Sequence, residues 1–221
     1  MTIEQDVEVK SVLESAAGDL LRRVNLLSSV VKYDLPNRSF EVPAPGRLLF
    51  EDRRPPDQKP APGVAPPQQL ANRGATAFAW KERLVYDQPI GSATLNGEVV
   101  VVHQPPDGNA NQSWRLEAER VTAFLEADGQ GAAKSVDTQS MKLNKVVAEG
   151  NLRFTSADVV FEATTVDYNP TTQMFTARGS TQAPGTLTKG PGYNRGTFDT
   201  LELNLRTNDL KATGFRASVR R

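Results

Sequence analysis

The residues best suited to chemistry are few and scattered. His103 is the only histidine of the 221-residue chain. It stands at the end of a strand-like run beside Pro105-Pro106. A metal or catalytic role would need partners, and no nearby carboxylate cluster offers ligand spacing; the expectation is an exposed strand-end side chain. Glu117/Glu119 and Asp158/Glu162 sit at even spacings, so each pair shares a face. Paired carboxylates can do acid–base work, but alternation makes these the wet faces of half-buried strands. Gly190-Pro191-Gly192 precedes no helix and is too short to cradle phosphate. Trp80 and Trp114 could stack on sugars, although packing in a core or rim is the ordinary use of tryptophan in a β protein. With no nucleophile elbow, Walker loop or dinucleotide fingerprint, the sequence reads as a non-enzyme without cofactor or metal.

Composition narrows the classes further. Lys+Arg and Asp+Glu both number 26, so zero net charge gives no global pull toward nucleic acid or anionic membrane. No cysteine is present, which excludes disulfides and thiolate metal sites. No apolar run is long enough to span a bilayer. The acidic start MTIEQDVEVK lacks the basic, apolar pattern of a secretion signal, so the chain is either cytosolic or a mature or truncated product, and truncation is the favoured expectation. Glycine and proline are plentiful and apolar segments short, the pattern of an all-β protein.

The elements that must position these residues repeat. VDYNPTTQMFTARG at 166–179 reads as strand, Asn-Pro turn, strand, glycine, with Tyr168 eleven residues before Gly179. Tyr86 to Gly97 and Leu203 to Gly214 repeat that spacing, and Tyr33 to Gly46 is two residues longer. Aligned on Gly46, Gly97, Gly150, Gly179 and Gly214, the positions four and two before each are apolar: Val42/Ala44, Ala93/Leu95, Val146/Ala148, Phe175/Ala177 and Leu210/Ala212. A two-residue step keeps each pair on one face. Two and four residues after the glycine come Leu48/Phe50, Val99/Val101 and Leu152/Phe154, and this trailing face fades in the last two units. Recurrent glycine predicts a bulge or bend between two sheets. Such units stack into an elongated two-sheet body with one apolar interior and open edges at both ends. Val99–Val102 is apolar on both faces, which asks for cover on both.

Around this body, residues 1–23 fit either a strand with a turn at Ala16–Asp19 or an amphipathic helix. Residues 24–52 make the first unit. Residues 53–73, with six prolines, read as an insertion of extended, polyproline-like chain. Residues 74–221 carry the further units, interrupted by a Gly/Ala/Ser-rich loop at 128–140. In the edge segment Ile3–Val9 no proline or bulge is visible. Its charges share one face, and Ile3, Val7 and Val9 face inward.

VDYNPTTQMFTARG and LVYDQPIGSATLNG, with GNLRFTS leading into ADVVFEATTVDY, resemble the OstA-like repeat. This is the domain of LptA-like periplasmic lipopolysaccharide-transport proteins, and the likeness covers residues 24–52 and 74–219. The resemblance implies a V-shaped β-jellyroll that holds acyl chains of an amphipathic glycolipid between two sheets. It also implies a periplasmic or cell-envelope setting and head-to-tail stacking through edge strands, with other copies or other OstA-like proteins. The proline-rich insertion, the 128–140 loop and the missing signal depart from that pattern. Candidate lipid-groove residues are Leu48, Phe50, Val99, Val101, Leu152, Phe154 and Phe175. The same residues could instead pack into the closed core of a structural or interaction domain of a larger envelope protein, with no lipid ligand.

Overall fold

The structure is a computed structural model, described here for residues 1–53, 74–108, 112–127, 141–190, 194–205 and 207–218. The expectations placed on the proline-rich segment, on 128–140, on Pro191-Gly192 and on the last three residues lie outside these. Among the described residues every regular element is a strand, and all pairings are antiparallel. The chain is an all-β jellyroll.

The strands are β1 (Thr2–Glu14), β2 (Leu20–Asp34), β3 (Ser39–Val42), β4 (Gly46–Asp52), β5 (Gly74–Trp80), β6 (Arg83–Asp87), β7 (Ser92–Gln104) and β8 (Trp114–Ala127). They continue as β9 (Met141–Ser156), β10 (Val159–Asn169), β11 (Met174–Arg178), β12 (Gly185–Lys189), β13 (Asn194–Phe198), β14 (Thr200–Asn204), β15 (Asp209–Thr213) and β16 (Arg216–Ser218). Residues 1–23 resolve as strand: β1 turns back into β2 through Ser15–Asp19, where the Ser15 hydroxyl accepts from the Ala17 and Asp19 N–H groups.

The hydrogen-bond ladder is continuous, yet the long strands change partners midway. β2 pairs β4 over Arg22–Ser28 and β3 over Lys32–Asp34. β7 pairs β6 over Ser92–Asn96 and β5 over Val100–Gln104. β10 pairs β12 over Val159–Glu162 and β11 over Thr165–Asn169. One sheet is therefore folded along a line through its long strands into two arms. Ring contacts between the arms, Phe154 with Phe175 and Trp114 with Phe175, show that their inner faces meet.

Bulges make the fold line. Gly97-Glu98 of β7 stand against the single Glu119 of β8, with φ of 81° and 43°. Gly150-Asn151 of β9 repeat this, with φ of 77° and 40°. The extra residue turns the strand sharply while its inward set keeps a two-residue step, Ala93/Leu95 then Val99/Val101. The unbulged partner must skip one: β8 buries Leu116 and Ala118, then Val121, leaving Glu119-Arg120 outside. Glycine is required at the first bulge position because its φ is left-handed and a Cβ there would strike Glu82 or Glu119. Gly46, Gly179 and Gly214 also stand where the chain leaves one arm for the other, although only Gly214 shares the left-handed φ.

Two expectations about the surface change. β1 does carry a bulge, at Gln5-Asp6, with φ of 73° and 45° opposite Ser29. A bulge without glycine shows no sequence signature. Val99 and Val101 are buried, but Val102 is 38% exposed, so its outer face has no cover among the described residues.

Candidate functional site

The inner face of one arm can be followed strand by strand through its ladder. Val9, Leu26, Leu48, Phe78, Val101, Leu116, Phe154, Phe161 and Leu187 form one row, each opposite the next. A second row, farther from the fold line, runs Val24, Phe50, Thr76, His103, Trp114. On the other arm, Tyr33, Phe40, Tyr86, Ala93, Ala123, Val146, Tyr168, Phe175 and Leu203 form the facing row.

These rows change character along the body. From β8 to β14 the interior is solid: Phe154 and Phe161 stack at 4.8 Å, Phe154 meets Phe175 at 5.0 Å, and Tyr168 stacks on Phe175 at 4.5 Å. Phe154, Phe161, Phe175 and Phe198 are at most 2% exposed. Burial pushes the Tyr168 phenol up to about 12. From β1 to β5 the interior is mixed: Val7, Leu26, Val31, Val42 and Trp80 are buried, while other inward apolar side chains stay partly accessible. Leu48, Phe50, Phe78, Tyr33 and Phe40 are half-buried, and Ile3 and Val9 are 42% and 46% exposed. Arg22 lies 4.8 Å from the Phe50 ring centroid and opposite the buried Asp52.

Five of the seven candidate groove residues thus belong to the packed interior: Val99, Val101, Leu152, Phe154 and Phe175. Leu48 and Phe50 stand apart from them at the open end. The residues that join these two at the mouth, Val9, Phe78, Phe40 and Tyr33, carry no distinguishing signal. They have the alternation of any half-buried strand.

His103 is not the exposed strand-end residue expected. It points inward, half-buried, with Nδ1 2.9 Å from the Thr76 hydroxyl and its ring stacked on Trp114 at 5.4 Å. Desolvation lowers its pKa from 6.5 to about 4. Trp80 is core: its indole N–H donates to the Ala44 carbonyl at 2.8 Å. The carboxylate pairs are outside and engaged, Glu117 with Arg115 at 2.7 Å and Glu162 with Arg153 at 3.2 Å. No group of three His, Asp or Glu that could hold a metal occurs among the described residues. No helix there is long and apolar enough to cross a membrane.

The fold is an antiparallel β-jellyroll whose inward apolar side chains are less completely covered at the β1–β5 end. Among solved structures, the chain is similar to LptH, the LptA-homologous periplasmic component of the lipopolysaccharide transport device of Pseudomonas aeruginosa. Identity is 12% and the TM-score 0.46, over 70% of this chain and 100% of that one. At that distance no residue role passes from one chain to the other. No family model matches the chain, and no curated protein does.

Proposed function

We propose that this protein is a non-enzymatic envelope module that takes an acyl chain of an amphipathic glycolipid between its two arms at the β1–β5 end. The observation that carries this reading is the set of inward-facing apolar side chains there that stay partly exposed, Val9, Leu48, Phe50 and Phe78, around the buried Leu26. Apolar surface left open inside a fold gains from any chain that fills it. Each buried methylene contributes about 0.8 kcal/mol, so a long acyl chain supplies roughly 8–10 kcal/mol gross. The Arg22 guanidinium beside Phe50 suits a ligand whose other end is hydrophilic. A cell-envelope or periplasmic setting goes with that ligand.

The test is direct binding of palmitate and of a lipopolysaccharide-type glycolipid to the purified full chain, by calorimetry. Stoichiometric binding, lost in Phe50→Glu while circular dichroism keeps its β signature, is the expected result. A wild type that binds neither ligand would leave the protein a closed structural domain.

The ends of the body offer a second contact of the same envelope type. β1 pairs only β2, and β15 and β16 each have one paired edge, so each end is a template for another strand. The Gln5-Asp6 bulge interrupts β1, so pairing would run along Val7–Glu14. Head-to-tail association with a second copy or a similar jellyroll should weaken with salt and with deletion of residues 1–14. Sedimentation showing one monomeric species at all concentrations would exclude self-association.

A further inference from the structure

Between the open and the solid halves lies a boundary built from four side chains. His103 of β7 and Trp114 of β8 stand opposite each other in the ladder and stack at 5.4 Å. On the mouth side, the Thr76 hydroxyl holds the imidazole at 2.9 Å. On the core side, Phe175 reaches from the other arm and meets Trp114 edge-on at 5.7 Å, with Phe154 behind at 6.2 Å. On their opposite arms the same two strands, β7 and β8, carry only Ala93 and Ala123 in the facing row. Large residues on one arm thus stand where the other is small.

We infer that His103 and Trp114 form the end wall of the acyl-chain site and set the length of chain it can bury. This rests on the lipid-binding reading above. A chain entering at β1 crosses four strand spacings before it meets His103, or about 19 Å at ~4.8 Å each, roughly the reach of an extended palmitoyl chain. Beyond that point the interior is filled by Phe154, Phe161 and Phe175. The wall also has a polar step: the His103–Thr76 hydrogen bond is a group that a methyl terminus can abut but not satisfy.

Laurate, palmitate and arachidate distinguish the outcomes. In the wild type, affinity should rise from laurate to palmitate and then level off, because the extra methylenes of arachidate remain outside. In Trp114→Ala, arachidate should bind about ten-fold or more tighter than palmitate, since each further buried methylene contributes a factor of about four. Palmitate bound by both proteins with the same levelling-off would overturn the wall and leave the site standing. Failure of the wild type to bind any of the three would remove both.

A second measurement does not need a cavity-forming variant. Palmitate spin-labelled at its methyl end should quench tryptophan fluorescence more than palmitate labelled near the carboxylate. That difference should vanish in Trp114→Phe. Equal quenching by the two labels would place the chain terminus elsewhere and refute the wall.

Discussion

The two ends of this jellyroll are built on one plan and packed differently. At the β8–β14 end the inward positions are filled by phenylalanines that meet across the arms, and Phe154 is wholly buried. At the β1–β5 end the same ladder positions carry Leu48, Phe50 and Phe78, which are only partly buried. Ring contacts between the arms occur, among the described residues, only where Phe175 reaches over. Identical alternation therefore yields a fully buried core in one region and a less completely covered interior in the other. What separates them is whether rings meet across the fold. The β1–β5 end also carries aromatics, Phe50 and Phe78 on one arm and Tyr33 and Phe40 on the other, but among the described residues the ring contacts between arms all involve Phe175.

The largest expected effect breaks the solid end. Phe154→Ala should cost about 3–5 kcal/mol of stability, from lost transfer energy plus a cavity that rigid neighbours cannot fill. Phe50→Ala should cost under about 1 kcal/mol, because its ring is already partly in water, and should weaken palmitate binding instead. Urea denaturation and calorimetry on both variants check this. Equal losses of stability would mean that the two ends are equally packed. Charged replacements follow the same division: Phe154→Asp should unfold the chain, and only at Phe50 can binding be lost with the fold intact.

How much of this was legible in the sequence depends on which strand is read. The glycine strands announce themselves, because their bulges keep the inward set at even spacing through Ala93, Leu95, Val99 and Val101. Their partners do not. In β8 the jump from Ala118 to Val121 looks like an imperfect strand, and only the ladder shows Glu119-Arg120 sitting outside a bend. Periodicity places the seven groove candidates on the inner face and is blind to what lies opposite them. Leu48 and Val101 are indistinguishable by that signal, yet Leu48 is half-buried and Val101 is 3% exposed. His103 was misplaced for the same reason: its strand extends to Gln104, which turns the imidazole inward onto Trp114.

His103 lies where the two regions join, and it offers a pH handle on that boundary. Its folded pKa, about 4, is below the unfolded value near 6.5. The unfolded chain therefore binds more protons between these values. Stability is complete above about pH 6.5 and is lost as pH falls toward 4. After allowing for partial exposure, this one group should remove about 2 kcal/mol between pH 7 and 4.5. Comparing urea midpoints of wild type and His103→Asn at the two pH values isolates the contribution. The same pH dependence in both proteins would show that the imidazole is solvated and the boundary more open than its stacking on Trp114 implies.

The smallest effect concerns the bulges that fold both ends. Three strands make the same double left-handed turn, at Gly97-Glu98, Gly150-Asn151 and Gln5-Asp6. Only β1 does so without glycine, and it is the edge strand of the open end. A side chain in the left-handed region costs about 1–2 kcal/mol, against about 0.5–1 kcal/mol for the extra freedom glycine brings to the unfolded chain. Gln5→Gly should therefore stabilise the protein by about 0.5–1 kcal/mol. Gly150→Ala should destabilise it by more than that, because its Cβ would also press on the Glu119 side chain, whose carboxylate accepts from Asn151 at 2.5 Å. Thermal melts of the two variants beside wild type give both signs in one experiment. Gln5→Gly should also slow amide exchange in β1 and β2, since strain at the edge is what loosens their pairing. A destabilising Gln5→Gly would mean that the Gln5 side chain holds the edge by contacts stronger than the strain it bears.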